Sequence, residues 1–240
     1  MSFLVHENKE ALAEAAAQDF ARRAGESIDA SGRFTVALAG GSTPKVAYEL
    51  LAREYADRLD WSKVHVFFGD ERTVPPDHED SNYRMAKEAL LDHVRVGSEH
   101  RMRGELPPAE AAVAYEEDLE QFFGGLPRLD LIMLGIGEDG HTASLFPHTP
   151  ALDVRDRWAV ENPVDKLETI RLTLTVPVIN AARNVVFLVA GEGKAEALFQ
   201  ILEGEADPHE YPAKLISPEA GGPVWMVDRE AASLLSPRNH

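Results

Sequence analysis

Short apolar runs separated by helical segments of ten or more residues set the strongest limit on how this 240-residue chain can fold. The apolar runs are typical of strands, and the segments between them carry apolar residues at helical spacing. Strands joined by helices need crossover connections, which produce a largely parallel sheet with helices packed against it. The sequence therefore predicts an α/β fold. Because it contains no repeat or linker, it also predicts a single domain over residues 1–240.

The predicted strands are apolar or alternating runs of four to six residues. They cover residues 34–39, 64–68, 129–134, 171–175, 185–190 and 224–227. The predicted helices have Ala-rich or amphipathic patterns, and Gly25 is expected to end the first of them. They cover residues 7–24, 44 to about 53, 81–91, 109–123 and 193–203.

Composition and charge exclude several classes of function. With 24 basic and 41 acidic side chains the chain has a formal charge of −17, which argues against nucleic acid as a partner. A small anion is still compatible with this charge, because a few local cations or backbone amides can hold one. No apolar run approaches the ~18 residues of a membrane span, and the first residues do not resemble a signal peptide. The absence of cysteine excludes thiolate chemistry and fits a reducing cytoplasm, where we expect the protein to act.

Polar, glycine-rich segments follow several of the predicted strands, and parallel α/β sheets bind ligands at the carboxyl ends of their strands. The first segment contains Gly40, Gly41, Ser42 and Thr43, just before a predicted helix. Glycines bring backbone amides close to a ligand, and free N–H groups at a helix start favour phosphate. The same residues also suit a tight turn with Ser42 or Thr43 as N-cap. The two interpretations are evenly matched on this segment alone.

The second segment is Asp70-Glu71-Arg72. In an extended chain Asp70 and Arg72 share a face. Arg72 could then bind phosphate oxygens through its guanidinium fork, with Asp70 orienting it or a sugar hydroxyl. The alternative is a surface ion pair of little energetic consequence. We expect that alternative for Glu71, whereas the residues alone leave Asp70 and Arg72 undecided.

The third segment begins Gly135-Ile-Gly-Glu-Asp-Gly-His141. Its three glycines match a dinucleotide-binding fingerprint, and Glu161 lies about 20 residues further on, where the ribose acid is expected. However, two acidic residues would face the pyrophosphate, and two nearby prolines interrupt the helix that the fingerprint requires. The alternative is that the glycines display His141 for proton transfer, with Asp139 setting its tautomer or basicity.

Two further basic residues lie at a strand start and a helix start. Arg171 begins a predicted strand, and Lys194 begins a helix after the apolar run 185–190. A lysine in the first helical turn opposes the helix dipole, so its position is better explained if it faces an anion. A solvated lysine with no ligand is an equally good interpretation.

Taken together, these segments resemble the 6-phosphogluconolactonases. The shared motifs follow that family's order and cover residues 38–45, 68–75, 80–83, 134–147, 171–175 and 191–195, with further likeness at 212–213 and 225–228. The resemblance implies a Rossmann-like three-layer fold with no metal and no nucleotide cofactor. It also implies hydrolysis of 6-phospho-D-glucono-1,5-lactone to 6-phosphogluconate in the oxidative branch of the pentose phosphate pathway.

The related glucosamine-6-phosphate deaminases share the glycine loop and the Asp-Gly-His core. Their motif has a glutamate five residues after the histidine, which takes part in opening the sugar ring. This chain has Phe146 at that place, and phenylalanine cannot transfer a proton. The sequence therefore favours lactone hydrolysis over deamination. A nicotinamide-dependent dehydrogenase and a non-catalytic sugar-phosphate sensor are the alternatives from other classes.

The residues and the resemblance together suggest a role for each candidate. We expect His141 to activate water as a general base, with Asp139 and Asp70 orienting it, the water or the sugar hydroxyls. The candidate phosphate-binding residues are Gly40, Gly41, Ser42, Thr43, Arg72, Arg171 and Lys194. The expected partner is a small phosphorylated sugar lactone rather than a membrane, and the expected assembly is a monomer or weak homodimer.

Overall fold

Seven parallel strands form the central sheet of the computed structural model, which describes residues 2–236. The strands are β1 Ser2–His6, β2 Phe34–Leu38, β3 Val64–Phe68, β4 Asp70–Arg72, β5 Ser98–Glu99, β6 Leu131–Leu134, β7 Ala159–Val164, β8 Thr169–Leu174, β9 Val185–Val189 and β10 Val224–Asp228. The α-helices are α1 Lys9–Ser31, α2 Ser42–Glu54, α3 Asn82–Ala86, α4 Pro108–Phe123, α5 Val176–Ala181 and α6 Ala195–Leu202.

The central sheet has the strand order β1-β10-β9-β6-β2-β3-β5, and every neighbouring pair is parallel. The expected α/β, Rossmann-like three-layer fold with a largely parallel sheet is confirmed. A second sheet, which the sequence pattern does not predict, has the antiparallel order β4-β8-β7. No helix among residues 2–236 is long and apolar enough to cross a membrane.

Both faces of the inner strands of the central sheet are buried. In β3, Val64, Val66 and Phe68 belong to the core shared with α1 and α2, whereas Phe67 packs on the opposite face with α4. Successive side chains of a strand alternate between faces, so burial on both faces makes these strands continuous apolar runs. This is why the apolar runs locate the five inner strands of this sheet to within one or two residues, whereas the edge strands β1 and β5 are not predicted.

The first helix differs from its prediction. It continues through Gly25 and ends only at Gly32, which has a left-handed φ of 78° and donates its N–H to the carbonyl of Ile28. Ala24 is fully buried, and Ile28 packs against the same core. This packing stabilises the last turns despite the low helix propensity of glycine. The prediction that Gly25 ends the helix is wrong.

Other differences lie outside the apolar runs. The pattern does not predict β1, β4, β5, β7 or α5, and β7 contains Pro163, which is uncommon inside strands. The predicted helix 81–91 is α3 followed by a π-helical turn at Lys87–Leu91. The predicted helix 193–203 is a 3-10 turn at Glu192–Lys194 followed by α6.

The two sheets meet at the carboxyl ends of the central strands. β2 and β6 are neighbours, and the sheet continues from β2 to β3 on one side and from β6 to β9 on the other. Such a reversal leaves a crevice beyond the strand ends. Gly69 alone separates β3 from β4, and its carbonyl accepts the N–H of Leu174 at 2.9 Å. The second sheet is therefore fixed beside this crevice.

Two glycines, Gly25 inside α1 and Gly32 at its end, provide a test of this packing. Open space surrounds Gly25, so Gly25→Ala should stabilise the protein by about 0.5–1 kcal/mol. The left-handed backbone at Gly32 strains any side chain, so Gly32→Ala should destabilise it by about 1–2 kcal/mol. Urea unfolding of both variants measures the two changes. A destabilised Gly25→Ala variant would contradict a continuous helix.

Candidate active site

A cleft of about 280 Å³ lies at the crevice beyond β2 and β6. The predicted site residues that line it are Gly40, Gly41, Asp70, Arg72, His141, Arg171 and Lys194. The other three do not line it. Ser42 and Thr43 follow Gly41 in the first turn of α2, and Asp139 contacts His141.

The glycine loop joins β2 to α2. Gly41 has a φ of 101°, which favours glycine, and it is the cap residue of α2. No side chain caps this helix, so the interpretation of Ser42 or Thr43 as its N-cap is wrong. The Ser42 hydroxyl accepts a hydrogen bond from Lys9 Nζ at 2.9 Å, and Thr43 is buried. The N–H groups of the first turn have no partner within the helix, which leaves them able to bind an anion.

Asn82 holds the glycine loop close to the second sheet. A methyl group on Gly40 would lie 1.9 Å from Asn82 Oδ1, so only glycine allows this approach. The Asn82 side-chain amide donates to the carbonyl and the carboxylate of Asp70, at 3.0 and 3.2 Å. Asn82 also lines the cleft, whereas the sequence pattern assigns it only to a helix start.

Two arginines lie side by side on neighbouring strands of the second sheet. Arg72 of β4 and Arg171 of β8 are directly opposite in the antiparallel register. Each has a buried Nε with no hydrogen-bond partner among the described residues. Burial, with the neighbouring charge of Arg72, lowers the pKa of Arg171. Like charges directly opposite on a sheet are destabilising, so the pair is better explained by an anion that neutralises both.

Lys194 adds a third positive charge to the cleft. It ends the 3-10 turn Glu192–Lys194, and α6 begins at the next residue. Gly191, with a φ of 94°, begins this turn and donates its N–H to the Asp228 carboxylate at 3.0 Å. Lys194 thus lies at a helix start, as its position in the sequence predicts.

Both carboxylate oxygens of Asp70 have hydrogen-bond donors. Oδ2 accepts from the Ser144 hydroxyl at 2.7 Å, and Oδ1 accepts from Asn82. Ser144 is held further by Thr173, which accepts its N–H at 3.3 Å, and by Asn162, which donates to its carbonyl at 2.9 Å. The buried Asp70 carboxylate therefore fixes the loop that follows β6 while it lines the cleft.

Glu71 is buried and does not form a surface ion pair. Its side chain is only 2% exposed. It accepts hydrogen bonds from the backbone N–H groups of Arg72, Asn82 and Tyr83 and from the Ser81 hydroxyl. Burial raises the pKa of its carboxyl group. The expectation of a surface ion pair is wrong, because this side chain ties α3 to β4.

The turn after β6 places His141 against Asp139. Asp139 Oδ1 lies 2.5 Å from Nδ1 of His141. A methyl group on Gly137 would lie 2.1 Å from that nitrogen, and Gly140 has a φ of 75°, so the glycines allow the chain to return this closely. An ionised carboxylate only accepts hydrogen bonds. Nδ1 therefore carries a proton, and Nε2 is left to accept one.

The dinucleotide alternative disagrees with the geometry of this segment. That fingerprint needs a long helix whose N-terminus receives the pyrophosphate. After Gly140 the chain forms turns and an isolated bridge until the short 3-10 helix Pro150–Asp153.

Within residues 2–236, no group of three or more acidic or histidine side chains is arranged to hold a metal ion.

The surroundings of His141 favour its neutral form. Burial lowers its pKa to about 4; the Asp70 carboxylate opposes this change, whereas the three cations of the cleft add to it. Phe146 stacks on the imidazole, with ring centres 4.1 Å apart and planes at 25°. A neutral imidazole with an unbonded Nε2 can accept a proton, which a charged one cannot.

The sequence patterns do not identify three residues as part of the site, namely Asn82, Ser144 and Lys166. Lys166, in the turn between β7 and β8, forms an ion pair with Asp139. Ser144 and Lys166 contact residues 74 and 27 positions away, so no local pattern signals either pair. Ser144 and Asn82 do lie inside motifs 134–147 and 80–83, which are the available signals.

A titration of His141 tests the electrostatics of the cleft. NMR of the imidazole should give a titration midpoint near pH 4, because burial disfavours the charged form and lowers the pKa from the ordinary 6.5. Arg171→Met should raise this midpoint, since it removes a neighbouring positive charge. Arg22→Met, which removes an exposed arginine of α1, is the matched control and should leave it unchanged. A midpoint at or above 6.5 in the unaltered protein would contradict this description.

Comparison with known proteins agrees with these motifs. The family model described as glucosamine-6-phosphate isomerases/6-phosphogluconolactonase matches residues 7–225. A 6-phosphogluconolactonase of Synechocystis sp. is 48% identical over 237 residues, which cover 96% of each chain. One of Nostoc sp. is 48% identical over 216 residues, covering 87% of this chain and 88% of the relative.

Solved structures lead to the same family. The structure of 6-phosphogluconolactonase from Trypanosoma brucei superposes with a TM-score of 0.87 at 30% identity, covering 98% of both chains. The sequence match and the shared fold extend through the strands, turns and helices that form the cleft. The chain therefore belongs to the family of glucosamine-6-phosphate isomerases and 6-phosphogluconolactonases.

Proposed function

We propose that this protein hydrolyses 6-phospho-D-glucono-1,5-lactone to 6-phospho-D-gluconate, in the oxidative branch of the pentose phosphate pathway. The observation that carries the proposal is a single cleft in which a neutral histidine lies among three positive charges. A phosphorylated lactone needs both features, since one end of the molecule is an anion and the other is an ester carbonyl. The relatives named 6-phosphogluconolactonase support the same substrate.

The phosphate would bind between Arg72, Arg171 and Lys194. Their positive charges and the buried, unpartnered Nε groups of the two arginines match its oxygens. The amides of the Gly40-Gly41 loop and of the first turn of α2, including Ser42 and Thr43, would add backbone donors. Anchoring the phosphate away from the reacting carbonyl would position the lactone for attack.

His141 would then activate the attacking water. Nε2 accepts a proton as the water oxygen bonds to the lactone carbonyl carbon, which gives a tetrahedral intermediate. The intermediate collapses when the bond between this carbon and the ring oxygen breaks. The imidazolium returns its proton to that oxygen, and the new carboxyl group ionises. No covalent nucleophile takes part.

The two aspartates would have different roles. Asp139 binds Nδ1 of His141, so it orients the ring and stabilises the imidazolium that forms during the reaction. Asp70 is occupied by Ser144 and Asn82 and lies beside the arginines, so it would fix the active-site loop and help to orient Arg72 or a sugar hydroxyl. Neither carboxylate needs to take a proton in the cycle.

Phe146 argues against the deaminase alternative. It is buried and stacked on His141 at the place where the deaminases carry their glutamate. Its side chain offers no group that could move a proton during ring opening. A sensor would bind 6-phosphogluconate without turnover, and a dehydrogenase would bind a nicotinamide dinucleotide, so binding and turnover assays separate all four functions.

Replacing the base gives the most direct test. His141→Ala should lower kcat about 10²- to 10⁴-fold, which is the usual contribution of a general base, while KM changes little. Lactone hydrolysis is followed against the spontaneous background. His93→Ala, which removes an exposed histidine outside the cleft, should behave as the unaltered enzyme. Near-normal kcat in His141→Ala would exclude this mechanism.

The phosphate site has a separate kinetic signature. Hydrogen bonds to charged groups are worth about 1.5–3 kcal/mol, so Arg72→Met or Arg171→Met should raise KM roughly 10- to 100-fold. The effect on kcat should be smaller, because neither arginine moves a proton. Arg22→Met again serves as the surface control. An unchanged KM in either site variant would remove that arginine from the phosphate site.

A further inference from the structure

Lys166 contacts the Asp139–His141 pair from a distant part of the chain. It lies in the turn Asp165–Leu167, which joins β7 to β8. Its Nζ forms an ion pair with Asp139 Oδ2, while Oδ1 of the same carboxylate binds Nδ1 of His141. The two oxygens of Asp139 are thus divided between a lysine and the proposed base.

A second contact joins the same groups. Lys166 Nζ lies 5.1 Å from the centre of the Phe146 ring, which is within the range of a cation–π interaction. The His141 imidazole stacks on this ring. Lys166 and His141 are therefore connected twice, through the Asp139 carboxylate and through the Phe146 ring.

The turn that carries Lys166 also borders the cleft. Leu167 lines the cleft although 47% of its surface is exposed. The next residue, Glu168, has a φ of 49°, so the turn closes through a left-handed residue. The Lys166 ion pair joins this turn to the segment that bears the proposed base.

We propose that Lys166 is a positioning residue for lactone hydrolysis. It holds the Asp139 carboxylate in the orientation that binds Nδ1 of His141, and it keeps the β7–β8 turn beside the cleft. The inference rests on the proposed function, because it assigns Lys166 a part in the same site.

An ordinary surface ion pair is the competing explanation. The Lys166 side chain is 49% exposed, and exposed pairs contribute about 0–1 kcal/mol to stability. Such a pair would leave turnover unchanged when Lys166 is replaced. The competing explanations therefore differ in measurable properties other than stability.

Several charged groups around His141 determine its pKa. Asp139 and Asp70 face it with negative charge, and the positive groups are Arg72, Arg171 and Lys194. Lys166 faces His141 only through Asp139 and Phe146. Removing Lys166 leaves the Asp139 charge without its partner, so the carboxylate should favour the imidazolium more strongly.

The test compares Lys166→Met with the unaltered enzyme. A misplacement of about 1 Å in an active site can cost about 100-fold, so a partial loss of orientation should lower kcat roughly ten-fold. KM should stay within about two-fold, because the cations proposed to bind the phosphate are untouched. The NMR midpoint of His141 should rise. Lys166→Arg, which keeps the charge, should restore most of the activity.

Lys63→Met is the matched control. Lys63 is 47% exposed and pairs with Asp60 at 3.2 Å, beside β3 at the amino end of the sheet. Its loss should leave kcat and the His141 midpoint unchanged. Melting temperatures of all variants show whether any change comes from unfolding.

Each outcome decides the proposal. A lower kcat and a raised His141 midpoint in folded Lys166→Met, with recovery in Lys166→Arg, would support it. Unchanged kcat, or equal losses in the Met and Arg variants, would overturn it. If the unaltered protein does not hydrolyse the lactone, the proposed function fails, and the His141 midpoint alone then decides whether Lys166 acts on the pair.

Discussion

Antiparallel pairing between β4 and β8 brings two arginines onto neighbouring strands, beside the cleft at the carboxyl ends of the central strands. This pairing places Arg72 opposite Arg171, where their mutual repulsion opposes folding. Neighbouring contacts offset the repulsion. Glu71 ties β4 to α3 through several backbone N–H groups, and the Thr73 hydroxyl donates to the carbonyl of Ile170 beside the pair. The site is thus held in a state that an anion would stabilise further.

The same small sheet also supports the proposed base. Ser144, in the loop that carries His141, is bound by Asp70 of β4, Thr173 of β8 and Asn162 of β7. All three strands of the second sheet therefore contact one residue of this loop. As a result, the proposed phosphate site and the proposed base share one support, which fixes the distance between them.

The sequence predicts the five inner strands of the central sheet well, but it misses both edge strands and, apart from β8, the second sheet, for a physical reason. Strands buried on both faces, such as β3, must be apolar throughout, whereas β4 has the sequence Asp-Glu-Arg and is held by pairing and by the burial of Glu71. Site residues at strand ends, such as His141, have local signals because glycines surround them. Lys166 has none, because its contact with Asp139 depends on how the chain folds back across 27 positions.

Phe146 has a consequence beyond the absence of a proton-transfer group. Its ring covers the imidazole of His141 at 4.1 Å and contributes to the burial that lowers the pKa of that histidine to about 4. A carboxylate in its place would favour the imidazolium, because an opposite charge at such a distance raises the pKa of a histidine. The protonated ring could not accept a proton from water. An aromatic residue here therefore offers no proton-transfer group and at the same time favours the neutral form of His141 that the proposed mechanism requires.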